Sequence, residues 1–218
     1  MNRLYAAEFG NRLVIEGNDN CPPMCRIDPN QYNYLVSNTE DLSAYAEERG
    51  VENGRQDLTG MQFDPQVPDG GEPVEQIYVR YSISAYNRWD YDAASGRYQH
   101  FVDNAEDNGN GEVYVPLTDR SNDEPVTAEN VVVLFATHQY WLGNNKIVDI
   151  LLNGSGRAVA LRDGQAYELR WNRPTTDSLV FLTFPDGTRY SLKPGVTWYE
   201  VLGESSNLEK PAEDAYRF

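Results

Sequence analysis

His100 and His138 are the only histidines in the chain. A histidine beside a carboxylate can serve as general acid or base. A metal site built from both would need a carboxylate such as Asp103 as well. The plainer reading gives each a packing role in a strand: His138 follows the apolar run Val131 to Ala136 and precedes Gln139-Tyr140-Trp141. Trp89, Tyr91, Tyr98, Tyr140 and Trp141 could form a stacking platform. Sugars and extended polymers dock on such faces because a ring offers flat apolar area with few rotamers to freeze. With Arg80, His100 and His138 these aromatics make up the candidate ligand-binding set. Strand alternation puts Trp89 and Tyr91 on one side, where Tyr98 can join them. The competing reading places these rings in a core. Trp171 and Trp198 sit in regular strands and are read as core.

Other chemistry finds less support. The sequence has no nucleophile elbow, phosphate loop, zinc-protease helix or dinucleotide fingerprint, so no catalytic residue is named and no cofactor is expected. Gly154-Ser155-Gly156 is read as a turn between strands. The acidic loop from Asp103 to Glu112 has enough oxygens for calcium, but its glycines fall out of register with a helix-loop-helix site, and it is read as solvated. Cys21 and Cys25, in Cys-Pro-Pro-Met-Cys, are a candidate disulfide in an oxidising compartment. Free thiols remain an alternative. Two thiolates alone are half a zinc site, and no metal is expected.

Thirty-four acidic against eighteen basic residues give a net charge of −16. Duplex nucleic acid and anionic membranes bind proteins through Lys and Arg, so this chain is expected to bind neither by charge. The acidity reads most simply as solubility. No stretch approaches the roughly 20 apolar residues of a membrane-crossing helix. The first residues, MNRLYAAEFGNRL, lack the apolar centre of a signal peptide.

The elements that must position these residues follow from periodicity and turns. Leu4 to Phe9 reads as a helix end and Arg12 to Glu16 as a short strand. Asn38-Thr39-Glu40-Asp41 opens a helix, with a capping side chain and acids in the first turn, and Gly50 closes it. Residues 51–75, rich in Pro and Gly, read as a linker or long loop. From Gln76 the period becomes two, with Ile77, Val79, Tyr81 and Ile83 on one face. Asn87 to Tyr91 and Arg97 to Val102 form a hairpin. Short apolar runs then fill Asn130 to Leu202, with Asp163-Gly164 and Asp186-Gly187 as hairpin turns. Fifteen Tyr against seven Phe suits a β-rich chain. The expected fold class is α+β: a small N-terminal α/β segment (1–72), an antiparallel β domain of about eight strands forming a sandwich or partly open barrel (76–202), and a polar tail (203–218).

Several spaced motifs carry a resemblance. Asn130 to Leu134, Leu152 to Gly164, Trp171, Phe184-Pro185-Asp186-Gly187 and Leu192 to Trp198 resemble the C-terminal half of the YerB-like bacterial lipoproteins, a family with a two-part domain of unknown function. Trp89-Asp90-Tyr91-Asp92 with Ser95-Gly96-Arg97-Tyr98 resembles the hairpin upstream, and Tyr32 to Thr39 the end of the family's first half. The likeness covers about residues 10–202 and implies an N-terminally truncated member. Gln31-Tyr32 replaces the family's Pro-His, and His100 stands where an Arg is common, which puts any site resting on those groups in doubt. The resemblance implies an extracytoplasmic, envelope-associated protein, lipid-anchored in intact members through a segment absent from this chain. Its expected role is a binding or interaction module for an envelope polymer or protein partner. The alternative is an envelope hydrolase or transferase whose catalytic segment lies upstream.

Overall fold

The structure, a computed structural model, describes residues 21, 23–26, 35–51, 60–104, 111–141, 144–175 and 178–218. The chain divides into two compact units, 1–57 and 58–218.

In the first unit β1 (Met24–Arg26) pairs antiparallel with β2 (Leu35–Ser37), Cys25 opposite Val36. Cys21 and Cys25 are disulfide-bonded, their Cα atoms 4.8 Å apart. Helix α1 (Thr39–Glu48) begins where the sequence placed it. The Asn38 side chain accepts from the backbone N–H groups of Glu40 (2.9 Å) and Asp41 (3.3 Å), which satisfies donors that a first turn leaves without partners. The helix buries none of its residues. A helix without a buried stripe has nothing to pack a layer on. The expected α+β class is therefore corrected: the described residues hold sixteen strands and one helix, and no α/β layer. The helix end at Leu4–Phe9 and the strand Arg12–Glu16 lie outside the described residues.

The second unit carries two seven-stranded sheets. One contains β9 (Asn130–Trp141), β10 (Asn144–Leu151), β11 (Gly154–Arg162), β12 (Gln165–Arg173), β13 (Phe181–Thr183), β14 (Thr197–Gly203) and the short β3 (Glu72–Pro73). The other contains β4 (Gln76–Ser82), β5 (Ala85–Asp92), β6 (Arg97–Asp103), β7 (Tyr114–Pro116), β8 (Thr127–Ala128), β15 (Glu209–Ala212) and β16 (Ala215–Arg217). Pairing is antiparallel except for β14 on β9 and β16 on β4, which are parallel. Asp163 and Gly164 both take positive φ (54° and 71°), the two-residue hairpin turn expected from Asp-Gly between β11 and β12.

Strand β9 organises the packing. Val131, Val133 and Phe135 join Ile77, Val79, Trp89 and Tyr98 in one core cluster. Val132, Leu134 and Ala136 join Leu169, Trp171 and Leu182 in another. A strand buried on both faces reads as a continuous apolar run, as Val-Val-Val-Leu-Phe-Ala does.

Three expectations change. Residues 60–73, read as linker, are tied to the β unit: the buried Arg162 guanidinium donates to the carbonyls of Asp64 (3.0 Å) and Pro65 (3.3 Å), and the Tyr167 hydroxyl to that of Pro68 (2.8 Å). The tail forms β15 and β16, and Ala215, Tyr216 and Phe218 are buried. The period-two face of β4 breaks at Tyr81, where the register with β5 shifts between Arg80 and Ser82, so Ile77 and Val79 are buried but Tyr81 and Ile83 are exposed.

Candidate functional site

Parallel strand β14 accompanies β9 only as far as Gly203 opposite Ala136. There it turns away, the Ser206 N–H donating to the Gly203 carbonyl at 3.0 Å. β9 continues to Trp141, paired with β10, Thr137 opposite Leu151. The departure of β14 opens a cleft of about 490 Å³, lined by Arg80 and Tyr81 from β4, Thr137, His138 and Tyr140 from β9, and Val201 to Ser206. That volume lies within the range of small-ligand sites.

Three of the expected ligand-binding residues meet here: Arg80, His138 and Tyr140. The His138 Nδ1–H donates to the Ala136 carbonyl at 3.1 Å, which leaves Nε2 as the ring's other polar atom. Tyr140 is 60% exposed. Arg80 is half-buried, and its Nη1 donates to Glu112 Oε1 at 2.8 Å. Glu112 also accepts from both terminal nitrogens of Arg217 (2.8 and 3.0 Å) and from the Tyr114 hydroxyl (2.5 Å). The Arg217 hydrogen bonds, aided by Tyr114 and Arg80 and opposed by burial, hold its carboxyl down at about 2.

Sequence reasoning missed Tyr81, Asn87 and Glu200. The Tyr81 hydroxyl donates to the carboxylate of Glu200, a residue 3% exposed. Glu200 also accepts from Asn87 Nδ2, at 3.2 and 3.4 Å to its two oxygens, and from Trp89 Nε1 at 3.0 Å. These donors satisfy a carboxylate that burial takes away from water. Burial first, and then the Glu200 charge, push the Tyr81 hydroxyl well above its ordinary range, so it stays a donor. The visible signal was an acid in an apolar strand, Tyr199-Glu200-Val201, though its three partners come from distant residues of β4 and β5.

The remaining expected residues lie elsewhere. Trp89 is fully buried, and His100, 2% exposed, stacks on it at 4.0 Å with ring planes 2° apart. Trp198 closes on both rings, at 5.4 Å and 4.8 Å. Neither ring nitrogen of His100 has a hydrogen-bond partner among the described residues. Burial pulls its pKa down to about 4, so the ring is neutral. Tyr98 is buried and its hydroxyl accepts from the Gly164 N–H at 3.1 Å, with Tyr91 beside it at 5.0 Å. Trp89, Tyr98 and His100 thus pack the interior and offer no docking face. Trp141 ends β9 opposite Asn144, and its side chain lies outside the described part. Residues 105–110 of the acidic loop also lie outside it. Among the described residues no cluster of three metal-ligating side chains occurs.

Residues 77–199, from β4 into β14, match the family model described as Protein of unknown function (DUF3048) C-terminal domain. The chain belongs to this family. Within the DUF3048 match lie Arg80, Tyr81, His138 and Tyr140, while Glu200 and the turn at Gly203–Ser206 follow directly after it. The fold of this DUF3048 chain is similar to the crystal structure of the YerB protein from Bacillus subtilis, with a TM-score of 0.64 and 18% sequence identity. The similarity covers 83% of this chain and 56% of that one, so the chain spans little more than half the length of the protein it matches. No curated protein sequence matches the chain.

Proposed function

We propose that this chain is an extracytoplasmic binding module of the bacterial envelope, with its partner held in the cleft beside β9. The observation that carries this reading is the convergence of Arg80, Tyr81, His138 and Tyr140 on one cleft of about 490 Å³. His138 and Tyr140 bring an imidazole and an exposed ring, beside Arg80 and Tyr81, whose polar groups are held by Glu112 and Glu200; a few polar groups on a largely apolar surface suit the orienting of a ligand. The Cys21–Cys25 disulfide fits an oxidising compartment. The net charge of −16 argues against docking on anionic lipid by the domain itself.

The test is site-specific photo-crosslinking in the envelope. A photoreactive residue at position 140 should give a discrete adduct that His138→Ala weakens, and one at the exposed Asn122 should give none. No adduct at 140, or the same adducts from both positions, overturns the reading.

A further inference from the structure

The cleft has a strand edge as its wall. In a β-strand the N–H and C=O of one residue point to the same edge, and successive residues alternate. The Asn130 N–H donates to the Val196 carbonyl at 3.1 Å, just ahead of β14, so the even-numbered residues of β9 face the β14 edge. That pairing runs unbroken through Ala136 opposite Gly203. The next even-numbered residues are His138 and Tyr140. On the opposite edge β10 leads directly into β11, Leu151 opposite Thr137 and Ala158 opposite Leu134. The backbone groups of His138 and Tyr140 therefore face the cleft, and among the described residues no strand pairs with them there.

We infer that the partner is an extended peptide that adds a strand to β9 at His138–Tyr140, in line with the end of β14. This deepens the cleft reading proposed above and rests on it. Main-chain hydrogen bonds to an open edge give such binding its affinity, and flanking surfaces take alternate side chains. Here Tyr140 and Tyr81, 60% and 45% exposed, flank the edge. Thr137-His138-Gln139-Tyr140 contains no Lys and no Pro, the residues that commonly blunt an exposed edge. Charge chooses the occupant. Two copies of a chain carrying −16 repel one another. At the cleft Arg80 is committed to Glu112, while the carboxylate of Glu204 is exposed. The fitting partner is a peptide that alternates apolar and basic side chains.

The probe is a fluorescent, acetylated hexapeptide alternating Lys and Val, read by anisotropy and by amide hydrogen exchange in the full chain. Saturable binding with slowed exchange of the His138 and Tyr140 amides is expected. Tyr140→Pro removes one edge N–H and leaves intact the odd-numbered groups that face β10; it should weaken binding at least tenfold more than Tyr140→Ala does. A hexapeptide N-methylated at alternate residues needs no change in the protein and should lose binding to the same degree. Unchanged exchange at 138 and 140, full binding by both N-methylated registers, or protection of these amides through a dimer seen by light scattering would each overturn strand addition. If the photo-adduct at position 140 forms while the hexapeptide leaves exchange unchanged, strand addition fails and the cleft reading stands. If neither appears, both fail.

Discussion

The Trp89 indole N–H donates to the Glu200 carboxylate at 3.0 Å, tying β5 of one sheet to β14 of the other through a buried charge. The same indole carries His100 on its face. One ring thus anchors an anion at its edge and a neutral imidazole on its plane.

Trp89→Phe should keep the ring packing but withdraw one donor from Glu200, leaving Tyr81 and Asn87. A hydrogen bond to a buried charge contributes about 2 kcal/mol. Denaturant melts should show a loss of that order. In Glu200→Gln the same substitution should cost less, because the charge it serves is gone.

His100 predicts a pH dependence. Its folded pKa, about 4, lies below its ordinary value of 6.5. Above pH 6.5 the ring is neutral in both states and the full stability is present. As pH falls from 6.5 toward 4 the unfolded chain takes a proton that the folded ring refuses, and stability declines by up to ~3 kcal/mol. His100→Phe, which preserves a ring on Trp89, should flatten the melting profile across that window. An unaltered slope would contradict the burial argument.

Glu112 acts in a lower window. Its carboxyl, held at about 2 chiefly by Arg217, contributes stability that is full above about 4.5 and is lost as pH falls through about 2. Glu112→Gln should cost about 2 kcal/mol at neutral pH. The gap from wild type should narrow in acid, as chemical denaturation at several pH values would reveal.

Gly156 has no room for a side chain. A methyl group there would lie 2.4 Å from Trp171 Nε1 and 2.8 Å from the Phe135 carbonyl, which are hydrogen-bonded to each other at 2.8 Å. Gly156→Ala should break that bond and destabilise by ~2 kcal/mol. Gly154→Ala meets no neighbour within 4 Å, though its φ of +102° carries backbone strain of its own, so a thermal scan of the pair separates crowding from strain.

The legible parts of the sequence were those governed by local rules. The Asn38 cap and the Asp163-Gly164 turn are set within a few residues, and both appear where periodicity and turn chemistry put them. The strand at Val131 to Ala136 was visible as an unbroken apolar run, and the structure adds that both of its faces are buried. Long-range pairing was not visible. The tail looked polar because Ala215 and Tyr216 gain a buried place only by pairing with β4, far upstream. The α/β segment was over-read because a good cap signals a helix and says nothing of whether it buries a face. At the candidate site, Arg80, His138 and Tyr140 were named by residue type. Tyr81 and Glu200 escaped because their meaning lies in one contact between strands far apart in the chain.

The two parallel pairings also order events in time. Asn130 must wait for Thr197, and Gln76 for Ala215, before either ladder can close. On a ribosome adding roughly 5–20 residues per second, β4 and β9 emerge several seconds before those partners. The nascent chain therefore keeps one edge of β4 and one edge of β9 open after their hairpin partners have emerged, and closes them only when β16 and β14 arrive. Until those partners arrive, the open edges are free to pair with the edges of neighbouring chains.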